Sequence, residues 1–122
     1  MPWKDNIPPL NPRNLRATLQ KDAVALFWDA PERAADGDSA RYYVIYRFEQ
    51  GEKPSAHDPR RIVGLCYEGE RFLDRTAEPD KKYLYYVTAV DRLHNEGRPI
   101  GPLRLWIREN RLQRYEIEVP EN

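Results

Sequence analysis

The stretch Tyr83-Leu-Tyr-Tyr-Val-Thr-Ala-Val-Asp91 decides how this chain folds. Tyr, Val and Thr fit a pleated, half-buried surface, and they fill this segment almost without interruption. Pro79-Asp80-Lys81-Lys82 in front of it has turn chemistry, so the segment reads as a buried central strand. Upstream, Leu15-Arg-Ala-Thr-Leu19 alternates apolar and polar side chains as a half-buried strand does. Lys21-Asp22 makes a turn, after which Val24, Leu26 and Trp28 share one face of a second strand. A polar loop runs from Pro31 through Ser39. Tyr42 to Phe48 forms a third strand, apolar on both faces and so expected inside its sheet. Gly51 to Pro59 is a loop, Arg61 to Tyr67 a fourth strand, and Glu68-Gly69-Glu70 turns into a fifth, Arg71 to Asp74. Beyond the sixth strand, Asn95-Glu96-Gly97-Arg98-Pro99 loops into a seventh, Leu103 to Ile107. Seven short strands with turn signals between them predict an all-β, antiparallel β-sandwich.

Composition sets the scale. The 122 residues make one domain with one modest core. Twenty basic and twenty acidic side chains cancel, so no global field draws the chain to nucleic acid or to an anionic membrane surface. The longest apolar runs are too short for a membrane-spanning helix, and no membrane insertion is expected. Met1-Pro-Trp-Lys-Asp has none of the apolar stretch of a secretion signal; an exported parent would carry its signal outside this segment. The lone Cys66 has no internal disulfide partner and is compatible with either redox compartment.

At several points the chain resembles a fibronectin type III domain. The matching residues are Pro9, Asn14-Leu15-Arg-Ala17, Val24-Ala-Leu26-Phe-Trp28-Asp-Ala-Pro31, Tyr42-Tyr-Val44-Ile-Tyr46-Arg, Phe72-Leu-Asp74, and Pro79 followed by Tyr83, Tyr85, Val87 and Ala89. The resemblance implies a seven-stranded immunoglobulin-like sandwich over residues 9–107, entered by a linker over residues 1–8. In it Trp28 plugs the space between two sheets, and Tyr83 is a tyrosine corner whose hydroxyl reaches backbone just upstream. Ala89 is small where strands pack closely. Ala77 departs from the pattern, which usually has leucine two residues before the proline. The phrasing of Tyr42 to Arg47, Phe72 to Thr76 and Tyr86 to Asp91 further resembles the modules appended to secreted bacterial glycoside hydrolases, especially those of Bacteroides-type gut bacteria. That implies an extracellular or cell-envelope location and a catalytic domain as neighbour in the parent chain.

Chemistry within the segment is sparse. His57 and His94 lie in loops, and Cys66 sits far along the chain from both, so no Cys–His nucleophile pair is expected. Glu68 with Glu70, or Asp36 with Asp38, would suit a two-carboxylate glycosidase only across a sugar-sized cleft, which a small sandwich does not offer. Asp36-Gly-Asp38 lacks the further oxygen ligands of a calcium loop, and no Cys or His spacing suits zinc. No glycine-rich loop cradles phosphate. No catalytic residue, metal site or cofactor is therefore expected. Trp28, Tyr42, Tyr46, Tyr83 and Tyr85 are expected in the core or at the corner. Trp3, Tyr43 and Trp106 are the candidate exposed rings for stacking on a sugar. Arg104, Arg108, Arg111 and Arg114 are expected to be neutralised by Glu109, Glu116 and Glu118.

Residues 108–122 extend past the family pattern. Tyr115-Glu-Ile117-Glu-Val119 alternates apolar and acidic side chains, which predicts an added eighth strand folded back at Glu109-Asn110. That fold would oppose Arg104 and Arg108 to Glu116 and Glu118 and cover a sheet edge. Good helix formers between Trp106 and Tyr115 make a helix the rival reading. The function expected of the whole is a non-catalytic spacer or docking module of an exported polysaccharide-processing enzyme. Two alternatives stand beside it: carbohydrate binding through exposed aromatics, and a protein-interaction or adhesion role.

Overall fold

Alternation along each strand divides its side chains between two faces, and the sandwich forms where the more apolar faces meet. The computed structural model describes residues 11–31 and 40–116. Eight strands follow in chain order: β1 (Arg13–Gln20), β2 (Ala23–Asp29), β3 (Tyr42–Glu49), β4 (Ile62–Cys66), β5 (Arg71–Asp74), β6 (Tyr83–Val90), β7 (Ile100–Arg108) and β8 (Arg111–Arg114). A three-stranded antiparallel sheet, β1-β2-β5, packs on a five-stranded one, β4-β3-β6-β7-β8. This is the expected immunoglobulin-like sandwich with an added strand.

The core lies between the sheets. Val24, Leu26 and Trp28 from β2 meet Tyr43 and Ile45 of β3, Tyr83, Tyr85, Val87 and Ala89 of β6, and Leu103, Leu105 and Ile107 of β7. The Tyr83 strand is central in the larger sheet, as its composition predicts. Trp28, Tyr83 and Ala89 are buried. The Tyr83 hydroxyl accepts a 2.9 Å hydrogen bond from the Glu78 amide, closing the corner.

One carboxylate joins the two sheets. Asp74, on β5, is 2% exposed. It accepts from the Tyr85 hydroxyl of β6 at 2.6 Å and from the Arg47 guanidinium of β3 at 2.9 Å. The Thr76 amide and hydroxyl complete its shell at 2.9 and 2.7 Å. Burial alone would raise the Asp74 pKa. The bonds from Tyr85 and Thr76 and the charge of Arg47 outweigh burial and hold it below its ordinary value. Arg47 also lies over the Tyr83 ring, 4.6 Å from its centroid, so corner and ion pair form one unit.

Three local features depart from simple alternation. A bulge in the β3–β4 ladder sets Ile45 opposite Gly64 but Tyr46 opposite Ile62. Cys66 and Gly64 therefore share the inner side, while Ile62 turns outward instead of following them. Cys66 is buried, with its thiol donating to the Glu68 and Gly69 carbonyls. At Gly64 a methyl group would stand 2.2 Å from ring carbons of Phe72, so β4 and β5 close on each other only because that position has no side chain. At Gly101, φ is +132° and a Cβ would meet the Tyr85 carbonyl at 2.6 Å. The bulge there, between Tyr85 and Val87, accommodates Pro102 inside a strand.

The C-terminal extension folds back at Glu109-Asn110 as predicted, both residues having φ > 0 in a two-residue hairpin. The strand it forms begins immediately, at Arg111, and ends at Arg114, before the alternating segment that predicted it. Arg108 consequently faces Arg111, and Trp106 faces Gln113. Residues 117 to 119 lie outside the described residues, as do Trp3 and Asp36-Gly-Asp38. The rival helix across 106 to 115 is absent, since Trp106 and Arg111 to Arg114 are in strands.

Replacing Tyr83 by Phe removes the acceptor for the Glu78 amide. The expected loss is about 1 kcal/mol, read as a lower denaturant midpoint at unchanged slope; an unshifted midpoint would show the bond to be idle. Asp74 has a lower pKa folded than unfolded. Its contribution is therefore present above about pH 4 and is lost as pH falls through the folded value. Asp74→Asn is expected to flatten the decline of stability on acidification, and equal acid slopes in the two proteins would refute this assignment.

Candidate functional site

The outer face of the five-stranded sheet is unusually apolar for a surface that faces away from the core. Alternation places Tyr42, Val44, Tyr46 and Phe48 of β3 and Leu84, Tyr86 and Val90 of β6 on this face, where they form a second cluster. That is why β3 is apolar on both sides. Phe48 and Tyr86 meet edge to face with centroids 5.7 Å apart.

Two loops fold over this cluster and are tied to each other. His57 Nε2 lies 3.0 Å from the Gly97 carbonyl and 3.9 Å from the Glu96 carboxylate. Asp91 organises the second loop by accepting from the amides of Leu93 and Asn95, each at 2.9 Å. Glu96 accepts from the Tyr46 hydroxyl and, at 2.7 Å, from the Thr88 hydroxyl. Burial, and next the bond to Glu96, push the Tyr46 phenol far above its ordinary pKa, so it stays a neutral donor. Glu52 anchors the first loop, pairing with Arg61 and accepting from the Glu49 amide at 2.6 Å.

The loops leave two adjoining depressions. One, of about 220 Å³, is lined by Tyr46, Phe48, Pro54, His57, Tyr86 and Pro99. The other, of about 550 Å³, is bordered by Gln50, Pro54, Lys82, Tyr86, Arg104 and Tyr115. Tyr86 and Pro54 line both, so the two depressions lie side by side on this face. Burial raises the phenol pKa of Tyr86 and of Tyr115, and the Arg104 charge opposes this at both. Large apolar side chains are also exposed on β4, just after it and in the loop after β6. Ile62, Leu65, Tyr67 and Leu93 are 39%, 42%, 66% and 54% exposed, and they are the exposed large apolar side chains among the described residues. Tyr67 stacks near Tyr42, whose hydroxyl lies 3.3 Å from His94 Nδ1.

The sequence candidates fall elsewhere. Tyr43 is 4% exposed, inside the core, edge-on to Trp28, with its hydroxyl donating to Glu70 at 3.2 Å. Its expected exposure is corrected, because β3 turns this face inward. Trp106 does lie on the outer face, but cations cover its ring: Lys82 at 4.7 Å and Arg108 at 5.1 Å from the centroid. Arg104, Arg108, Arg111 and Arg114 form no close ion pair among the described residues, which leave out part of the expected balancing carboxylates. Glu118 lies outside those residues. His57 and His94 are exposed, and Cys66 is buried. Among the described residues no three His, Cys, Asp or Glu side chains gather to hold a metal ion. Sequence reasoning missed Tyr86, Arg104 and Tyr115. The available signal was parity, since Tyr86 sits out of phase with Tyr83 and Tyr85.

No protein-family model matches the chain. It is 40% identical over 99 residues to Glycosyl hydrolase YngK of Bacillus subtilis (strain 168), covering 80% of this chain and 19% of that protein. The chain thus spans about a fifth of the curated relative it matches. An Fn3-like protein from Clostridium thermocellum superposes with a TM-score of 0.60 at 19% identity, over 91% of this chain and 98% of that one. The twitchin kinase region from C. elegans gives a TM-score of 0.67 at 20% identity, over 93% of this chain and 19% of that one. The fold is that of fibronectin type III domains.

Glu96 is the polar anchor of this face. Glu96→Ala would leave the buried hydroxyls of Tyr46 and Thr88 without their shared acceptor, which is expected to cost about 1–3 kcal/mol. Chemical denaturation measures it, and a loss under a few tenths would show that the loops hold without Glu96.

Proposed function

We propose that this fibronectin type III fold serves as a non-catalytic accessory module of a larger, exported glycosyl hydrolase, docked against the neighbouring catalytic domain. The apolar side chains exposed at the β4 edge are the observation that carries this reading. Ile62 and Leu65 on β4 and Tyr67 just after it expose large apolar surface along this edge, and apolar side chains so placed on a small domain mark a contact surface. β4 is also an edge strand, with one row of backbone groups free of a sheet partner. The match to about a fifth of a glycosyl hydrolase supplies the kind of partner, because the rest of such a chain would lie beside the module. A polysaccharide-processing context and a location outside the cytoplasm belong to the same reading.

The test uses the module within its parent chain. Docked domains are expected to unfold in one calorimetric transition, and Leu65→Glu with Tyr67→Glu to split it into two by burying charge at the contact. A wild-type parent that already unfolds in two independent steps would argue against docking.

A further inference from the structure

The groove on the outer face holds cations that the docking role does not use. Arg104 rises from β7 onto its floor, half-buried, with Nε fully enclosed and without a hydrogen-bond partner. Among the described residues its guanidinium forms no ion pair. Lys82 lies on the same side, held 4.7 Å from the Trp106 centroid and 5.2 Å from that of Tyr115. It too has no ion pair among the described residues. Two carboxylates stand at the rim. Glu52 is already committed to Arg61, whereas Glu116 is exposed and unpaired among the described residues.

A partly desolvated guanidinium without a counter-ion among the described residues favours an anion, and its planar fork matches a carboxylate in two-point contact. Beside it, Tyr86 supplies a flat ring and a neutral hydroxyl, the pairing that takes the C–H face and the hydroxyl edge of a pyranose, while Tyr115 closes the wall with its hydroxyl donating to the Tyr83 carbonyl at 3.1 Å and its ring under Lys82. Tyr86 and Pro54 also line the neighbouring apolar depression, with Phe48 and Pro99, which has room for a further ring. We infer that this groove binds an acidic oligosaccharide, with the carboxylate of a uronic-acid residue on Arg104 and Lys82 and its ring against Tyr86. The choice of a sugar over an acidic peptide rests on the proposed glycosyl hydrolase context; the choice of an anion rests on the side chains alone.

Isothermal titration with a galacturonic-acid trisaccharide, its neutral galactose counterpart, a sulfated trisaccharide and a Glu-rich peptide tests the assignment. The uronic trisaccharide is expected to bind saturably and more weakly as salt rises, and the neutral sugar to bind far less. Arg104→Gln should weaken binding about tenfold or more, and Lys82→Gln by a smaller factor, with the thermal midpoint of each variant confirming a folded domain. Glu116→Gln should tighten binding by removing a competing carboxylate. Failure of the uronic trisaccharide to bind, equal binding of the neutral sugar, or unchanged affinity in folded Arg104→Gln would overturn the proposal. Tighter binding of the sulfated sugar or of the peptide would overturn the ligand class. Any of these results with a single unfolding transition intact in the parent would sink this inference alone and leave the docking reading standing.

Discussion

The contact between Asp74 and Arg47 is the constraint around which the sandwich is arranged. A carboxylate this enclosed is tolerated only when its charge is met and its lone pairs are filled, and here Tyr85, Thr76 and Arg47 do both. The partners come from β5 on one sheet and from β3 and β6 on the other, so the bonds can be satisfied together in one relative placement of the sheets. Apolar faces alone would slide over one another at small cost; directional bonds to a buried charge would not. Because Arg47 also covers the Tyr83 ring, the same placement sets the corner and with it the start of the central strand.

Much of this frame was legible from the chain, and the exceptions have physical causes. Strand identity follows from composition and period, and the inward placing of Trp28 and Tyr83 follows from the fibronectin type III resemblance. What period cannot report is which of two apolar faces turns inward. β3 is apolar on both, so Tyr43 reads as an exposed candidate although it is buried, and Tyr86 goes unnoticed although it lies in the groove. Bulges are also hidden from a two-residue period, which is why Ile62 leaves the face of Gly64 and Cys66. The position of β8 depended on turn geometry. A two-residue hairpin with two left-handed residues starts pairing at once, so the strand uses Arg111 to Arg114 and not the more strand-like segment after it.

The outer face gives this small sandwich a second built surface. One sheet has a core on each side. The inner core makes the fold, and the outer cluster, roofed by two loops, positions rings and charges that the inner core cannot present. The loops are cross-tied through His57, Gly97 and Glu96 and anchored to β3 and β6 by Tyr46 and Thr88, so the groove walls are attached to the most deeply paired strands. Rigid attachment lowers the ordering cost that a shallow site would otherwise meet on binding.

Gly64 gives the molecule an uneven tolerance to change. Where β4 and β5 close, the clearance above Gly64 is that of a hydrogen atom, and a single added carbon would collide with Phe72. Any replacement there must displace the Phe72 ring from its place against β4. The opposite margin, ending in β8, has no such contact at its outer rim. Sequence drift and engineered insertions are thus channelled to the hairpin side, while the glycine side acts as a fixed seam.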